Sequence, residues 1–207
     1  MILNSDSLKL SIHDINTLCQ HYLTILYHGI QQQTKDVSKN INETYGEILY
    51  PGIDKLLSAI ELSKDDVFID YGSGVGKIVI QVFLKSLVKE AYGIEISPAL
   101  HQHAANAAQK IQHDLPEFYN EGRKLIFLHG DFLKIPLTTA TVALVTSTCF
   151  TQPLLAELGK IIEGTPSIHT VLSLRPIHTL QRLSFKKAIR IECSWDTVLC
   201  YVYTLRT

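Results

Sequence analysis

The sequence lacks the cysteine spacing of a metal site. Its four cysteines are Cys19, Cys149, Cys193 and Cys200, and no two of them form a C-x-x-C pair. Paired cysteines are the usual sign of structural zinc, whereas scattered ones are typical of reduced intracellular thiols. We therefore expect no metal site and a cytoplasmic protein.

Long apolar runs and an excess of one charge are also absent. No run reaches the roughly 18 apolar residues of a membrane-spanning helix. Residues 1–6 lack the basic segment and apolar core with which a signal peptide begins. Nineteen basic residues stand against twenty acidic ones, so bulk charge does not indicate nucleic-acid binding. We expect neither a membrane nor a nucleic-acid partner.

A glycine-rich turn is the strongest signal that the sequence does contain. The apolar stretch 67–70 predicts a buried strand that ends in Asp70. Gly72, Gly74 and Gly76 follow, and apolar residues then recur at helical spacing. Glycine lets a ligand approach the backbone and permits positive φ, and a helix N-terminus attracts electron-rich groups. The stretch therefore predicts a nucleotide-type ligand site.

The spacing of these glycines excludes two common phosphate-binding motifs. The dinucleotide fingerprint G-x-G-x-x-G needs its third glycine where Lys77 stands. The phosphate loop needs glycine and Ser/Thr where Tyr71 and Ile78 stand. The remaining pattern, acid-x-Gly-x-Gly-x-Gly, resembles the first motif of class I S-adenosylmethionine-dependent methyltransferases. A tight turn that binds nothing is the alternative.

Strand and helix patterns alternate along the chain. Strands are predicted at 67–70, 91–96, 124–129, 142–145, around 168–174, and, as a hairpin, at 188–193 and 198–203. Helical spacing recurs at 8–26, 53–60, 78–88, 98–111 and 154–162. This alternation predicts an α/β fold with a mostly parallel sheet and an antiparallel hairpin at its edge. The first helix is interpreted as a lid or packing helix, with a partner-binding helix as the alternative.

Two later strand ends carry residues suited to the rest of a nucleoside. Glu95 closes the second strand 25 positions after Asp70, where an acid accepts hydrogen bonds from ribose hydroxyls in nucleotide-binding α/β folds. An ordinary surface glutamate is the alternative. Asp131 and Phe132 follow the third strand. A carboxylate there can accept from an exocyclic amine while the ring lies against a base.

Several separated motifs, taken in order, resemble one family. They are Tyr-Gly-Glu at 45–47, Asp-x-Gly-Ser-Gly-Val-Gly at 70–76, Tyr-Gly-Ile-Glu at 92–95, Gly-Asp-Phe-Leu at 130–133 and Ser-Trp at 194–195. This order resembles the non-SET histone lysine methyltransferases of the disruptor-of-telomeric-silencing type. The resemblance implies a class I, Rossmann-like, seven-stranded, mostly parallel sheet with a C-terminal antiparallel hairpin. It also implies an S-adenosylmethionine-binding methyltransferase domain at 44–207, and the helical spacing before it predicts an N-terminal helical extension at 1–43.

The resemblance further implies a set of cofactor-binding residues. They are Thr44, Tyr45, Glu47, Asp70, Gly72, Ser73, Gly74, Gly76, Lys77, Glu95, Ile96, Asp131 and Phe132. Thr44, Tyr45 and Glu47 would close over the methionine end of S-adenosylmethionine. Asp70 would hold its amino group, Gly72 and Gly74 would admit its backbone, Glu95 would bind ribose, and Asp131 with Phe132 would bind adenine.

The substrate side departs from that family. Trp195, after Ser194, matches a tryptophan of the family's lysine channel, but Thr146 and Ser147 replace its paired asparagines and Lys77 replaces a glutamine. We take Thr146, as a group that orients the acceptor amine, and Trp195, as a channel wall, to be the catalytic candidates. No long basic tail follows, so we expect a protein lysine other than a nucleosomal one.

Three functions are compatible with these observations. The expected one is transfer of a methyl group to a protein lysine. The second is transfer of a methyl group to a small molecule. The third is a catalytically silent module that only binds the cofactor, and the replacement of the paired asparagines is consistent with it. The sequence does not specify the acceptor, the degree of methylation or the oligomeric state.

Overall fold

The computed structural model describes residues 12–28 and 47–206, and the side chains from residue 15 onward within them. The helices are α1 (Ile12–Leu26), α2 (Tyr50–Ala59), α3 (Lys77–Lys85), α4 (Pro98–Asp114) and α5 (Gln152–Glu163). The strands are β1 (Val67–Tyr71), β2 (Glu90–Glu95), β3 (Lys124–His129), β4 (Val142–Val145), β5 (Thr170–Ser173), β6 (Leu183–Glu192) and β7 (Thr197–Leu205). Short 3-10 helices occupy Pro116–Gly122 and Ser147–Cys149.

The strands form one seven-stranded sheet in the order β3-β2-β1-β4-β5-β7-β6. Strands β1 to β5 are parallel, and β7 runs antiparallel to both β5 and β6. The predicted fold, a mostly parallel sheet with a C-terminal hairpin, is confirmed. The chain leaves β1 towards β2 and β3, then returns to β4 on the other side. Ligands of open α/β sheets bind where the strand order reverses in this way, at the carboxyl ends of the strands.

Two apolar cores cover the faces of the sheet. Every residue of β1 and β4 is buried, as expected for parallel strands that have helices on both faces. Side chains of α1, α2, α3 and α4 pack on one face, and side chains of α5 pack on the other. The carboxyl end of β1 is thus a rigid platform in the middle of the protein.

Helix α1 is part of the packed structure. Cys19 and Leu23 bury one face of α1 in the first core, and Tyr27, one residue after the helix, is buried in the same core. The Tyr27 hydroxyl donates to the Val75 carbonyl over 2.8 Å, and the Tyr50 hydroxyl donates to the Asn16 carbonyl over 3.1 Å. These contacts agree with the packing-helix interpretation. The expected division between residues 43 and 44 lies outside the described residues.

Strand β6 begins five residues before its predicted start at 188. It lies at the edge of the sheet, and its register with β7 shifts between Phe185 and Lys187. Exposed lysines and a bulge are common on edge strands because they discourage pairing with another chain. The same charges interrupt the apolar alternation that predicts a strand. No helix within the described ranges is long and apolar enough to cross a membrane.

Candidate functional site

A cleft opens at the carboxyl ends of β1 and β4. It is open to solvent, and Glu47, Ile48, Asp70, Gly72, Ser73, Gly74, Val75, Lys77, Ile78, Thr146, Leu174 and Trp195 line it. Eight residues of the predicted site meet here, including both catalytic candidates, although they are spread over almost 150 positions of sequence.

Asp70 is the most unusual residue of the cleft. It is 0% exposed, and neither carboxylate oxygen has a hydrogen-bond partner among the residues that the structure describes. Burial, with a smaller contribution from the charge of Glu95, raises the Asp70 pKa to about 8. A buried carboxylate in this state is costly unless a cation or a donor joins it. The cleft therefore suits a ligand with a positively charged group.

Backbone hydrogen bonds anchor the glycine turn to the end of β2. The amides of Gly72 and Ser73 both donate to the Ile94 carbonyl, over 2.9 and 3.0 Å. Gly72 and Gly74 have φ of 87° and 54°, a region in which L side chains are strained. The Ser73 hydroxyl is buried and has no described partner. The turn thus presents glycine backbone towards the cleft, and the Ser73 hydroxyl lies against Gly93 of β2.

Gly76 has a packing function that the motif alone does not reveal. A Cβ at this position would stand 2.5 Å from the Phe127 ring and 3.0 Å from Ala104. The missing side chain therefore lets the start of α3 approach β3 and α4. Gly76 does not line the cleft, and its predicted contact with the cofactor is not tested by this arrangement.

Glu95 clamps the turn to the end of β2. One carboxylate oxygen accepts from the Gly74 amide over 2.9 Å, and the other accepts from the Ser97 amide over 2.8 Å. The side chain is buried, and each carboxylate oxygen has a further lone pair for a ligand. The predicted ribose contact stays a prediction, to which the structure adds a clamping function.

Ile96, predicted to bind the cofactor, and Asp131 and Phe132, predicted to bind its base, are not among the residues that line the cleft. Ile96 is exposed, and Asp131 accepts from the Leu133 amide over 2.9 Å. The Phe132 ring is 5.8 Å from the Tyr71 ring and 5.4 Å from the Phe150 ring. Phe150, which sequence reasoning missed, would also stand 3.1 Å from a Cβ on Gly72. The adenine contact stays a prediction.

An ion pair ties the segment before α2 to the start of α3. Lys77 Nζ lies 2.6 Å from Glu47 Oε2, with both side chains largely buried. The same ammonium lies 5.0 Å from the ring centre of Tyr27, directly after α1. A positive charge in the first turn opposes the helix dipole, so Glu47 and the ring compensate for the position of Lys77. Thr44 and Tyr45 lie outside the described residues.

The two residues that replace the asparagines differ in their surroundings. Thr146 lines the cleft. Ser147 is fully buried, and its hydroxyl is 3.3 Å from the Ser173 hydroxyl. Thr146 is therefore placed to contact a ligand and Ser147 supports the sheet. Ile48 and Leu174, which follow no polar motif and were not predicted, add apolar wall to the cleft.

Trp195 stands at the turn between β6 and β7, on the rim of the cleft. It is 42% exposed. The Ser194 amide donates to the Glu47 carbonyl over 2.8 Å, and the Ser194 hydroxyl accepts from the Glu47 amide over 3.1 Å. These bonds fix the turn against the segment before α2. Trp195 is therefore positioned by the hydrogen bonds of the adjacent Ser194 and not by burial of its own ring.

Comparison with known proteins assigns this arrangement to a family. The profile of histone methylation protein DOT1 matches residues 29–193, and Trp195 lies two positions beyond that match. A histone-lysine N-methyltransferase, H3 lysine-79 specific, from Cryptococcus neoformans is 28% identical over 72% of this chain and 25% of its own length. The enzyme of that name from Gibberella zeae is 31% identical over 80% of this chain and 36% of its own length. The chain thus spans about a quarter to a third of these relatives.

Solved structures agree on the fold. An RNA methyltransferase from Salinibacter ruber, in complex with S-adenosyl-L-homocysteine, has a TM-score of 0.54 and 23% identity over 76% of this chain and 92% of its own. At this identity the likeness concerns the fold, which is the class I methyltransferase fold predicted from the sequence.

Proposed function

This chain belongs to the family of histone methylation protein DOT1, and we propose that it is an S-adenosylmethionine-dependent methyltransferase acting on a lysine of a protein substrate. The observation that carries the proposal is Asp70, a buried carboxylate without a described partner, which lines an open cleft beside the glycine turn. The names of the relatives, which are lysine-specific enzymes, favour a protein lysine as the acceptor.

The cleft fits this cofactor by charge and shape. Asp70 would accept hydrogen bonds from the ammonium of its amino-acid end, and Gly72 and Gly74 would lie against its chain. Glu95 has lone pairs left for ribose hydroxyls, and Asp131 would accept from the adenine amine. The cofactor supplies, when bound, a methyl group made electrophilic by a sulfonium.

The acceptor side of the cleft would prepare a lysine amine. Ile48, Leu174 and Trp195 present apolar surface, which disfavours the ammonium form and lowers the pKa of an entering lysine. The neutral amine is the form that attacks. The Thr146 hydroxyl would accept a hydrogen bond from that amine and orient it. Alignment of this kind supplies up to about 7–11 kcal/mol of barrier reduction in well-oriented systems.

Binding tests the cofactor half of the proposal. By calorimetry, S-adenosylmethionine and S-adenosylhomocysteine should bind the protein, whereas NAD and ATP should not bind appreciably. The reason is that the spacing of Asp70, Gly72, Gly74 and Gly76 fits neither the dinucleotide fingerprint nor the phosphate loop. Tight NAD binding without binding of S-adenosylhomocysteine would reject the proposal.

Glu95→Ala should weaken S-adenosylhomocysteine binding by at least about 1.5–3 kcal/mol, the usual value of hydrogen bonds to a charged group. The variant loses a ribose partner and also the clamp on the Gly74 amide. Glu90→Ala is the matched control, because Glu90 is equally buried at the opposite end of β2, where it pairs with Lys124. The control should lose stability and keep its affinity. Unchanged affinity in Glu95→Ala would place the ribose on another residue.

The affinity for S-adenosylhomocysteine should rise with pH between about pH 6 and 8, roughly tenfold per unit. Asp70 has a pKa of about 8 in the folded protein because of burial and Glu95, so it must lose a proton to pair with the ligand ammonium. Calorimetry in buffers of different ionisation enthalpy should show release of close to one proton at neutral pH. Asp70→Asn should bind weakly and without this dependence.

The same pKa fixes the sign of the stability change in the free protein. A carboxyl group whose pKa is raised on folding favours the folded state at low pH, and this contribution is lost as pH rises through about 8. The wild-type free energy of unfolding should therefore fall between about pH 4 and 8 relative to that of Asp70→Asn. A wild-type curve parallel to that of the variant would show that Asp70 is ionised in the free protein.

A further inference from the structure

We propose that Lys77 is the counter-ion of a carboxylate on the cofactor and makes this cleft selective for a zwitterionic amino-acid end. The proposal rests on the proposed function and deepens it. Among the described residues that line the cleft, Lys77 is the one cation, and Glu47 and Asp70 are the acids. A ligand carboxylate entering a cleft with two acids needs a compensating positive charge.

The position of Lys77 favours this role over simple neutralisation of Glu47. An ammonium group has three N–H donors. One donates to Glu47 Oε2 over 2.6 Å, and the Tyr27 ring lies against the ammonium at 5.0 Å. Two N–H donors therefore remain after the bond to Glu47, and Lys77 is a lining residue of the cleft.

The chain holds the ammonium in a fixed place. Its helix, α3, begins at Lys77, directly after the glycine turn. Tyr27 is buried and is anchored by its own hydroxyl to the Val75 carbonyl of that turn. Asp70, which has no described partner, and Lys77 line the same cleft. Asp70 would pair with the ammonium of the cofactor's amino-acid end, and Lys77 would pair with its carboxylate.

Two ligands that differ only in the carboxylate test the proposal. They are S-adenosylhomocysteine and its analogue in which hydrogen replaces the carboxylate. By calorimetry the wild-type protein should prefer the carboxylate-bearing ligand at least tenfold, since a hydrogen bond to a charged group is worth a factor of this size. Lys77→Met should reduce the preference to less than threefold and leave the affinity for the analogue nearly unchanged.

Lys85 provides a matched control on the same helix. It pairs with Asp54, and its ammonium lies 4.8 Å from the ring centre of Tyr50, so its contacts resemble those of Lys77, but it does not line the cleft. Lys85→Met should lower the melting temperature and keep the full preference. If Lys77→Met does not fold, Lys77→Gln, which keeps a donor for Glu47 without the charge, replaces it with the same expectation.

The possible outcomes separate this proposal from the proposed function. If both ligands bind the wild type equally, or if Lys77→Met keeps the preference, the carboxylate is held elsewhere and only the role of Lys77 is overturned. If neither ligand binds the wild type, the proposed function fails and the role of Lys77 fails with it. Loss of the preference in Lys77→Met and not in Lys85→Met supports the proposal.

Discussion

Gly74→Val is expected to abolish S-adenosylhomocysteine binding, with a loss of at least a hundredfold. Gly74 has a φ of 54°, which is a strained conformation for a β-branched residue. Its amide is held by Glu95 over 2.9 Å, so the turn cannot easily move away. A valine side chain here would occupy the cleft where the ligand must approach the backbone. Calorimetry measures the loss directly.

Gly122→Val separates this steric effect from backbone strain. Gly122 has a φ of 75°, and a Cβ there would meet nothing within 4 Å. Both variants should therefore lose stability by a similar amount, about 1–2 kcal/mol from the unfavourable conformation. Gly122→Val should bind the ligand normally. Equal affinity of Gly74→Val and wild type would show that no ligand approaches this turn.

Trp195→Ala should lower methyl transfer at least tenfold, which corresponds to about 1.4 kcal/mol of barrier. The ring lines the cleft and is 42% exposed, so its removal takes away a wall of the proposed lysine channel. A tryptophan that caps a core would instead cost on the order of 3–5 kcal/mol of stability. Melting temperature and cofactor affinity should stay nearly intact, and all three quantities are measured on one preparation.

Phe185→Ala is the control for this change. Phe185 is an exposed aromatic residue on the same hairpin, near the end of β6 opposite to Trp195. Its removal should leave methyl transfer unchanged. A Trp195→Ala protein that is destabilised but turns over normally per folded molecule would reject the channel role.

The middle strands of the sheet are predictable from the sequence because they are short apolar runs, buried on both faces, that lie between polar turns. Strand β4 is fully buried and lies at its predicted bounds. Strand β3 lies at its predicted bounds although it is an edge strand, because its residues 125–128 are all apolar. The first part of β6 was not predicted, because the exposed Lys186 and Lys187 interrupt the apolar alternation that indicates a strand. The exposed charges of β6, and not its edge position alone, therefore explain why its start was missed.

The site is predictable in its residue types and less so in its contacts. The glycines, Asp70 and Glu95 form a recognisable order, but the clamp from Glu95 to the Gly74 amide involves a backbone group, which a motif does not encode. The contacts of Tyr27 with Val75 and of Lys77 with Glu47 join residues 48 and 30 positions apart. The apolar spacing of the first helix ends at residue 26, so it predicts neither the burial of Tyr27 nor its partner.

The most direct test of the account is transfer of a tritiated methyl group from S-adenosylmethionine to the proteins of a cell lysate. Wild-type protein should place the label in protein, and acid hydrolysis should recover it as methyllysine, while Gly74→Val should place none. Purified nucleosomes as a separate substrate show whether the acceptor is the histone of the relatives' names. Label found only in the small-molecule fraction, or no transfer by a protein that binds the cofactor, would contradict the account.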